Sequence, residues 1–379
     1  MAARSKVAVL YTSPRTVVDD YQRLFELAGM KQALPVGPRT SLRINISWHV
    51  YMPACSTTPW QLEAVIRGLI DAGHPPQALF AAQNRTVVVD CRVGAVNNHL
   101  QPVLDRYGVE IQYLNEKPTE WVVYNPKQPM LVLHDVFKKG ILVPKCLIGS
   151  NVIHMPTLKT HVFTTMTGAM KNAFGGLLQE NRHWTHSVIH ETLVDLLQIQ
   201  KEIHPGLFAV TDGTIAGDGP GPRAMRPHVT NLILASDDMV SIDAIAAKLM
   251  GLDPMSIKFI RLAHEKGLGV GDPKEIELVG DDVSKVNLKF SPYEDTLASR
   301  GQKLIYWGPL KPLENMLLRS PIVPWSYAAS RLYHDGYWYP TKGMPRVKKI
   351  LATEWGKLFE QYGRTGTIET SEPAESKVS

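Results

Sequence analysis

A dense group of polar residues lies in the segment HMPTLKTHVFTTMTGAMKNAFGG, residues 154–176. A lysine held near a second lysine, or in apolar surroundings, has a depressed pKa and can act as a base or an amine nucleophile. Each of these side chains alone is more simply explained as a solvated or capping residue. Their grouping predicts a functional site in which Lys159, Lys171 and His161 are candidate catalytic residues and Asn172 is a candidate binding residue.

The segment TDGTIAGDGPGPR, residues 211–223, forms a second candidate group. Asp212 directly follows a predicted strand, a usual place for an active-site carboxylate, and is the preferred general base or metal-binding carboxylate. The loop after it is neither a Walker loop nor a GxGxxG turn, so neither ATP nor NAD follows from it. Its backbone N–H groups could hold an oxyanion, and a rigid turn is the alternative. The candidate binding residues of this loop are Gly217, Asp218, Gly219, Gly221 and Arg223.

Three aspartates occur in the segment ASDDMVSIDAIAAKLMG, residues 235–251. Asp237 and Asp238 are most simply helix-capping and first-turn acids. Asp243 lies in the middle of an apolar helix pattern, where a carboxylate must be paired or exposed. Pairing with Lys159 or Lys171 is one solution.

Histidines form the fourth group, in HWTHSVIHE at residues 183–191. His186 and His190 are four residues apart, and this spacing is compatible with a zinc site but lacks the HExxH order. Together with His154 they are weak candidates for metal ligands. Histidines at the start of a helix are more often structural, so the metal content stays open and a divalent metal remains an option.

The elements that must position these groups alternate between strand and helix in the first part of the chain, which predicts a mostly parallel, doubly wound α/β sheet. Apolar runs and helical periodicity define the individual elements. The predicted strands are 7–11, 42–47, 87–90, 111–114, 151–154, 207–211, 231–235 and 275–279. The predicted helices are 17–28, 60–72, 97–107, 164–174, 187–199, 239–250 and 254–265. A loop starting at Pro156 is expected to carry Lys159 and His161.

Two regions depart from this alternation. Short apolar runs at 121–124, 130–133 and 141–144 predict an inserted β-rich segment. Residues 291–364 are rich in Trp, Tyr, Pro and Leu and are expected to form a C-terminal extension that packs on an α/β domain at 1–290. Proline breaks and scattered charges there argue against a membrane-surface helix. The polar residues 365–379 predict a disordered tail.

Composition limits the class of protein. The formal net charge of +5 is mild for 379 residues, and no dense Lys/Arg run predicts nucleic-acid binding. No segment is long and apolar enough to suggest a membrane-spanning helix. Three widely spaced cysteines, Cys55, Cys91 and Cys146, cannot ligate an intrinsic iron–sulfur cluster and suit a reducing compartment, so a cytoplasmic location is expected.

Several of these blocks together resemble the domain of unknown function 362 family. The resemblance covers roughly residues 40–281 and is specific as a joint set: TTPWQLEAVIRGLIDAG, HMPTLKTH, TGAMKNAFGG, TDGTIAGDGPGP, ASDDMVSIDAIAAKLMGLDP and GLGVGDPKEIELVG. It implies a fold and the location of a site rather than a reaction. Many members of the family carry a ferredoxin-like iron–sulfur module, which implies redox work. This chain departs from them, so an electron donor would have to be an external redox partner.

The site predicts an enzyme that acts on a small anionic metabolite, through proton transfer, isomerisation or redox chemistry on a carbonyl or carboxylate. An oxidoreductase or an isomerase or lyase would fit. The alternatives are a non-catalytic ligand-binding or maturation protein that uses the same pocket, and a membrane-surface accessory protein that uses the aromatic C-terminal region. The C-terminal region could also form a lid or a homodimer contact.

Overall fold

The computed structural model of the protein describes residues 5–84, 88–320 and 323–368. Within these ranges the strands are β1 (Lys6–Tyr11), β2 (Thr40–Ile44), β3 (Leu79–Gln83), β4 (Glu110–Tyr113), β5 (Trp121–Tyr124), β6 (Ile141–Pro144), β7 (Asn151–Met155), β8 (Thr157–His161), β9 (Thr165–Met166), β10 (Leu207–Asp218), β11 (Arg226–Ser236) and β12 (Glu277–Gly280). The helices of the α/β part are α1 (Val17–Ala28), α2 (Met30–Ala33), α3 (Pro59–Asp71), α4 (Cys91–Asn97), α5 (Leu100–Tyr107), α6 (Leu133–Val136), α7 (Gly168–Asn172), α8 (Ile189–Ile203), α9 (Met239–Leu249) and α10 (Lys258–Glu265). The C-terminal helices are α11 (Leu297–Tyr306), α12 (Glu314–Leu318), α13 (Pro324–Arg331), α14 (Met344–Leu351) and α15 (Glu354–Thr365), with a π-helical segment, Leu332–Gly343, between α13 and α14.

One large sheet organises the molecule, with the strand order β12-β1-β11-β10-β7-β2-β3-β4. Most neighbouring strands are parallel, and β11 is antiparallel to both β1 and β10. The predicted α/β class with a mostly parallel sheet is therefore confirmed. The strands after β2 continue outward through β3 and β4, whereas β7 and β10 lie on the other side of β2. Such a reversal of direction is the topological switch point at which open α/β sheets bind ligands.

Alternating side chains of the central strands pack on opposite faces of the sheet. In β1, Ala8 and Leu10 belong to one hydrophobic cluster, and Val7 and Val9 belong to the other. Both faces are covered by helices, which explains why the strands are short apolar runs rather than alternating polar and apolar sequences. The buried sheet fixes the positions of the strand ends that border the candidate site.

The structure corrects several predicted elements. The third strand is Leu79–Gln83, whereas residue 87 of the predicted strand 87–90 lies outside the described residues and 88–90 form a turn and an isolated bridge. Residues 130–133 form no strand, although β5 and β6 do pair as an inserted two-stranded sheet. A short apolar run does not show by itself whether another strand lies beside it to form backbone hydrogen bonds.

Two further corrections bear on the site. The segment predicted as a loop carrying Lys159 is the strand β8, which pairs with the far end of β10. The strand predicted at 207–211 continues to Asp218, because β11 supplies an antiparallel partner along its length. In the segment predicted as a helix at 164–174, Thr165–Met166 form the strand β9, and the only α-helix is α7, which a short 3-10 segment follows.

The end of the C-terminal extension shares the core of the α/β part. Trp355, Phe359 and Tyr362 of α15 belong to the same hydrophobic cluster as α1 and α3. Buried Glu63 of α3 accepts hydrogen bonds from the Tyr362 hydroxyl and from the backbone N–H of Ile368, the latter at 3.1 Å. Residues 365–368 are thus attached to α3 rather than beginning the predicted tail, and 369–379 lie outside the described residues.

The contact between Tyr362 and Glu63 leads to a stability prediction. Tyr362→Phe removes a donor from a buried carboxylate, so the free energy of unfolding should fall by roughly 1.5–3 kcal/mol in urea denaturation. Tyr293→Phe is the matched control, because that tyrosine is 77% exposed. Equal losses in the two variants would show that the Glu63 contact does not secure α15.

Candidate functional site

A cavity of about 280 Å³ lies beyond the carboxyl ends of β2 and β3. Arg43 and Ile44 from the end of β2, and Gln83 and Asn84 from the end of β3, line its floor. The loop after β8, the helix α7 and the C-terminal helices α11–α13 supply the other walls. The cavity therefore occupies the edge of the sheet at its topological switch point, as expected for an open α/β sheet.

Lys171 reaches this cavity from the short helix α7. The start of α7 is fixed by Asp243 of α9, whose carboxylate accepts hydrogen bonds from the backbone N–H groups of Ala169 and Met170. Gly168 has a φ of +70°, and a side chain there would collide with the Asp243 carboxylate. Asp243 is thus paired with backbone groups, and the suggested pairing with Lys159 or Lys171 is wrong. Burial raises the pKa of Asp243 to about 7.

The amine of Lys171 forms no hydrogen bond or ion pair with any other described residue, and its Nζ lies 5.4 Å from the centre of the Phe174 ring. Burial, followed by the charges of Lys159 and Arg182, lowers the pKa of Lys171 to about 7. Near neutral pH, a lysine with this pKa is present in both its charged and its neutral form. It can therefore accept a proton, donate one or attack a carbonyl carbon.

Arg43 is a buried cation at the floor of the cavity, where it pairs in register with His154 across β2 and β7. Its guanidinium donates to the Ala82 carbonyl oxygen. The guanidinium lies against Gly176, where any larger side chain would collide with it. Burial and the nearby charge of Arg182 lower the pKa of Arg43 to about 10. The side chain stays charged at neutral pH without an acidic partner among the described residues.

Two further arginines complete the basic lining. The Arg182 guanidinium lies 6.0 Å from the centre of the Phe174 ring, and the Arg223 guanidinium donates to Ser330 Oγ at 3.3 Å. The Nη1 atom of Arg223 is buried without a hydrogen-bond partner in the described structure. Burial lowers the pKa of Arg223 from its usual value.

The charge of the cavity is one-sided. Arg43, Lys171, Arg182 and Arg223 line it, and no aspartate or glutamate does so among the residues that the structure describes. Unpartnered buried oxygens of Asn84 and Thr167 add further polar atoms to the wall. Basic groups that lower one another's pKa are stabilised when an anion binds between them. The lining thus fits an anion.

Four histidines also line the cavity, and the hydrogen bonds of two of them define their neutral tautomers. His161 Nδ1 accepts from the Phe163 N–H at 3.1 Å, whereas His186 Nδ1 donates to the His183 carbonyl oxygen at 2.9 Å. In the neutral state His161 therefore carries its proton on Nε2, and His186 has a bare Nε2. Burial is the main cause that lowers the pKa of both, and the charge of Lys171 adds to it. The pair can serve as a hydrogen-bond donor and an acceptor to a ligand.

Lys159 lies behind this cavity rather than in its wall. Its buried Nζ donates to the Cys55 carbonyl oxygen at 2.6 Å and to Thr157 Oγ1 at 3.0 Å. Burial lowers its pKa to about 8. Lys159 thus acts on Lys171 through its charge, while Lys171 and His161 are the predicted catalytic residues that border the cavity.

Asp212 is buried away from the cavity lining, in the middle of β10. One of its oxygens accepts from Tyr21, Thr58 and Trp60 at 2.8–2.9 Å, and the other accepts from the N–H and hydroxyl of Thr214 at 2.9 and 2.7 Å. Burial raises its pKa, and these donors oppose the shift. Its contacts connect α1, α3 and β10, which is the arrangement of a structural carboxylate.

Part of the predicted anion loop, residues 217–223, lines the cavity, and the rest makes contacts outside it. Gly221 and Arg223 line the cavity together with Pro220 and Pro222. Asp218 instead pairs with Arg226 at 2.6 Å and accepts from the Ser291 N–H. The carbonyl oxygens of Gly217 and Gly219 accept from Thr160 Oγ1, which fixes the loop against β8. Asn172, by contrast, lines the cavity and donates to the Arg43 carbonyl oxygen at 2.7 Å.

The weak metal candidates do not converge. His154 Nε2 lies 2.6 Å from Gln200 Oε1, and His190 stacks on Phe259, so neither histidine lines the cavity. Among the described residues no group of three His, Cys, Asp or Glu side chains could hold a metal ion. Asp238, by contrast, caps α9 by accepting from Val240 and Ser241, as predicted.

Arg43 and Arg182 are the basic cavity residues that reasoning from the sequence missed. A charged residue inside the apolar strand pattern SLRINIS was the available indication for Arg43. Arg182 precedes the histidine group, yet no local pattern shows that its side chain points to α7. The reach of a long basic side chain depends on the surrounding fold.

The fold and the lining define an α/β protein with a basic, ligand-sized cavity at the switch point of its sheet. The family described as Domain of unknown function (DUF362) matches residues 41–248, more than half of the chain. A curated relative, the Thylakoid-associated protein sll1697 of Synechocystis sp., is 31% identical over 247 residues, which cover 64% of this chain and 72% of the relative. The chain belongs to the DUF362 family. No described helix is long and apolar enough to cross a membrane.

The position of Asp212 leads to a second prediction. Asp212→Asn places an amide nitrogen against hydrogen-bond donors, so the free energy of unfolding should fall by at least about 2 kcal/mol, measured in urea. Asp282→Asn, at an exposed turn, is the control and should change little. Full stability of Asp212→Asn would remove the structural role and return this carboxylate to the list of candidate bases.

Proposed function

We propose that the protein binds a small anionic metabolite in the cavity at the ends of β2 and β3 and acts on it with Lys171. The observation that carries the proposal is the lining itself, in which Arg43, Lys171 and Arg223 have no carboxylate partner among the described residues. Arg43 is buried and Lys171 and Arg223 are partly buried, so leaving their charges unpaired is costly, and a bound anion would offset that cost.

The ligand would be a carboxylate or phosphate attached to a flat or apolar body. Guanidinium groups match the geometry of both anions, and Phe163, Phe174 and Tyr306 supply apolar wall. A volume of about 280 Å³ lies at the small end of ligand pockets, which span roughly 300–1,000 Å³. These limits favour a small metabolite over a nucleotide cofactor.

Lys171 is the residue best placed to do chemistry on this ligand. A partly neutral amine could remove a proton next to a carbonyl or attack the carbonyl carbon, while the arginines hold the anionic group. The enzyme would then be an isomerase or lyase, or an oxidoreductase that uses an external electron donor, because three cysteines cannot bind a four-thiolate cluster. A non-catalytic ligand-binding or maturation protein would use the same basic cavity without this step.

The thiols favour a reducing compartment such as the cytoplasm as the place of action. Cys55, Cys91 and Cys146 are free in the structure, and burial is the main cause that raises the pKa of each thiol. Thiols of this kind are mostly protonated and are poor nucleophiles. We therefore assign them no part in the reaction.

The first test measures melting temperature with sodium sulfate, phosphate or oxalate against sodium chloride of equal ionic strength. An anion at one hundred times its dissociation constant should stabilise the protein by about 2.7 kcal/mol, a rise of several degrees. Lys171→Gln and Arg223→Gln should each weaken this response at least about tenfold in anion concentration, because each removes a charged hydrogen bond.

Arg92→Gln is the matched control for this test. It removes an exposed arginine that pairs with Glu116 outside the cavity, so the response to the anions should be retained. No stabilisation beyond that of sodium chloride, or equal weakening in all three variants, would argue for surface screening and against a built anion site.

The lowered pKa of Lys171 predicts a pH dependence of stability. Because the amine titrates near pH 7 in the folded protein and near 10.5 when unfolded, the unfolded chain binds more protons between these values and stability should rise with pH there. Lys171→Met removes this partly buried charge, so it should raise the melting temperature at pH 6 by more than at pH 9. Lys258→Met, at an exposed lysine, is the control. Equal effects at the two pH values would show that Lys171 titrates normally.

A further inference from the structure

The polypeptide that covers the cavity has an unusual distribution of polar and apolar side chains. This roof consists of residues 293–320 and 323–332 and contains α11, α12 and α13. In α11, Ser299, Gln302 and Tyr306 recur at helical spacing and line the cavity. The opposite face of α11 presents Leu297 and Leu304, which are 71% and 47% exposed. Ile305 and Tyr306 of this helix are buried, whereas its two leucines are directed away from the protein.

The rest of the roof continues this pattern. Leu318, Val323 and Ser330 line the cavity from within. The roof contributes nine of the twenty large apolar residues that are exposed in the described chain, namely Tyr293, Leu297, Leu304, Trp307, Leu310, Leu313, Met316, Trp325 and Leu332. Single exposed apolar residues are normal, whereas so many of them on neighbouring short helices make the roof the candidate interaction surface of the described chain.

The charges of the roof determine which partner fits. Its acidic groups are all neutralised within the described structure: Glu294 pairs with Arg226, Asp295 pairs with Lys303, and Glu314 pairs with Lys311 and Arg319. Arg300 and Arg331 are exposed and have no acidic partner among the described residues. The outward charge of the roof is therefore positive, beside leucine and tryptophan side chains.

We infer that the roof docks this protein on the surface of an anionic phospholipid membrane. Leucine and tryptophan side chains enter the boundary between headgroups and acyl chains, and basic side chains are attracted to anionic headgroups. A second copy of this chain would bury the same apolar groups, but it would bring the unpaired arginines together rather than neutralise them. The inner face of the roof still packs over the cavity, so docking places the anion site about one helix diameter, roughly 10 Å, from the headgroups.

The test is co-sedimentation of the full chain with vesicles of phosphatidylcholine alone or of equal parts phosphatidylcholine and phosphatidylglycerol. Binding should require phosphatidylglycerol and weaken with salt. Leu297→Glu/Leu304→Glu should reduce binding at least tenfold, since it puts two negative charges in the apolar face. Arg300→Gln/Arg331→Gln should reduce binding by at least fivefold through the loss of two cations.

The matched control is Val93→Glu/Val96→Glu, which adds the same two charges to the exposed face of α4, where the valines are 44% and 57% exposed. This variant should bind vesicles almost as well as the unchanged protein. The inference is overturned if the unchanged chain ignores anionic vesicles, or if the two glutamate variants lose binding equally. It is also overturned if light scattering shows a dimer that only Leu297→Glu/Leu304→Glu dissociates, in the absence of vesicle binding. These outcomes are independent of the anion test on the cavity.

Discussion

The burial of basic side chains without carboxylate partners is the constraint that shapes this molecule. Neutral oxygens partly replace the lost water: Arg43 donates to the Ala82 carbonyl oxygen, and Lys159 donates to the Cys55 carbonyl oxygen. Lys171 has no such acceptor in the described structure, and the charges around it lower its pKa. Positive potential is thereby concentrated in one cavity, where it acts on an anion far more strongly than in water.

Three buried acids hold the elements around the cavity together and lie outside its lining, which leaves this potential intact. Asp212 connects α1, α3 and β10, Asp243 fixes the start of α7, and Glu63 anchors the C-terminal helix α15. Each carboxylate is satisfied by hydroxyl, indole or backbone donors rather than by a cation. If one of them instead paired with Lys171, the amine would remain protonated at neutral pH and could not act as a base.

The sheet and the roof determine where the cavity lies. Parallel strands end together at the switch point between β2 and β7, so the side chains after β2 and β3 converge there. The roof closes the site from the C-terminal part of the chain, far away in sequence. One face of the roof lines the cavity and the other presents apolar groups outward, so the two proposed activities of the protein would use the same helices.

The sequence by itself determined the α/β class, most strands and helices, and the chain segment of the site, because periodicity and capping are local properties. It placed α1 at its observed bounds, and it placed Lys171, His161, Asn172, Gly221 and Arg223 near the site that they line. Only the tertiary structure decided that Arg43 and Arg182 join them and that Asp212 lies elsewhere. Strand β10 continues past Asp212 because β11 pairs with it. Such pairing, and the direction in which a long side chain points, depend on contacts between residues distant in sequence, which no local pattern contains.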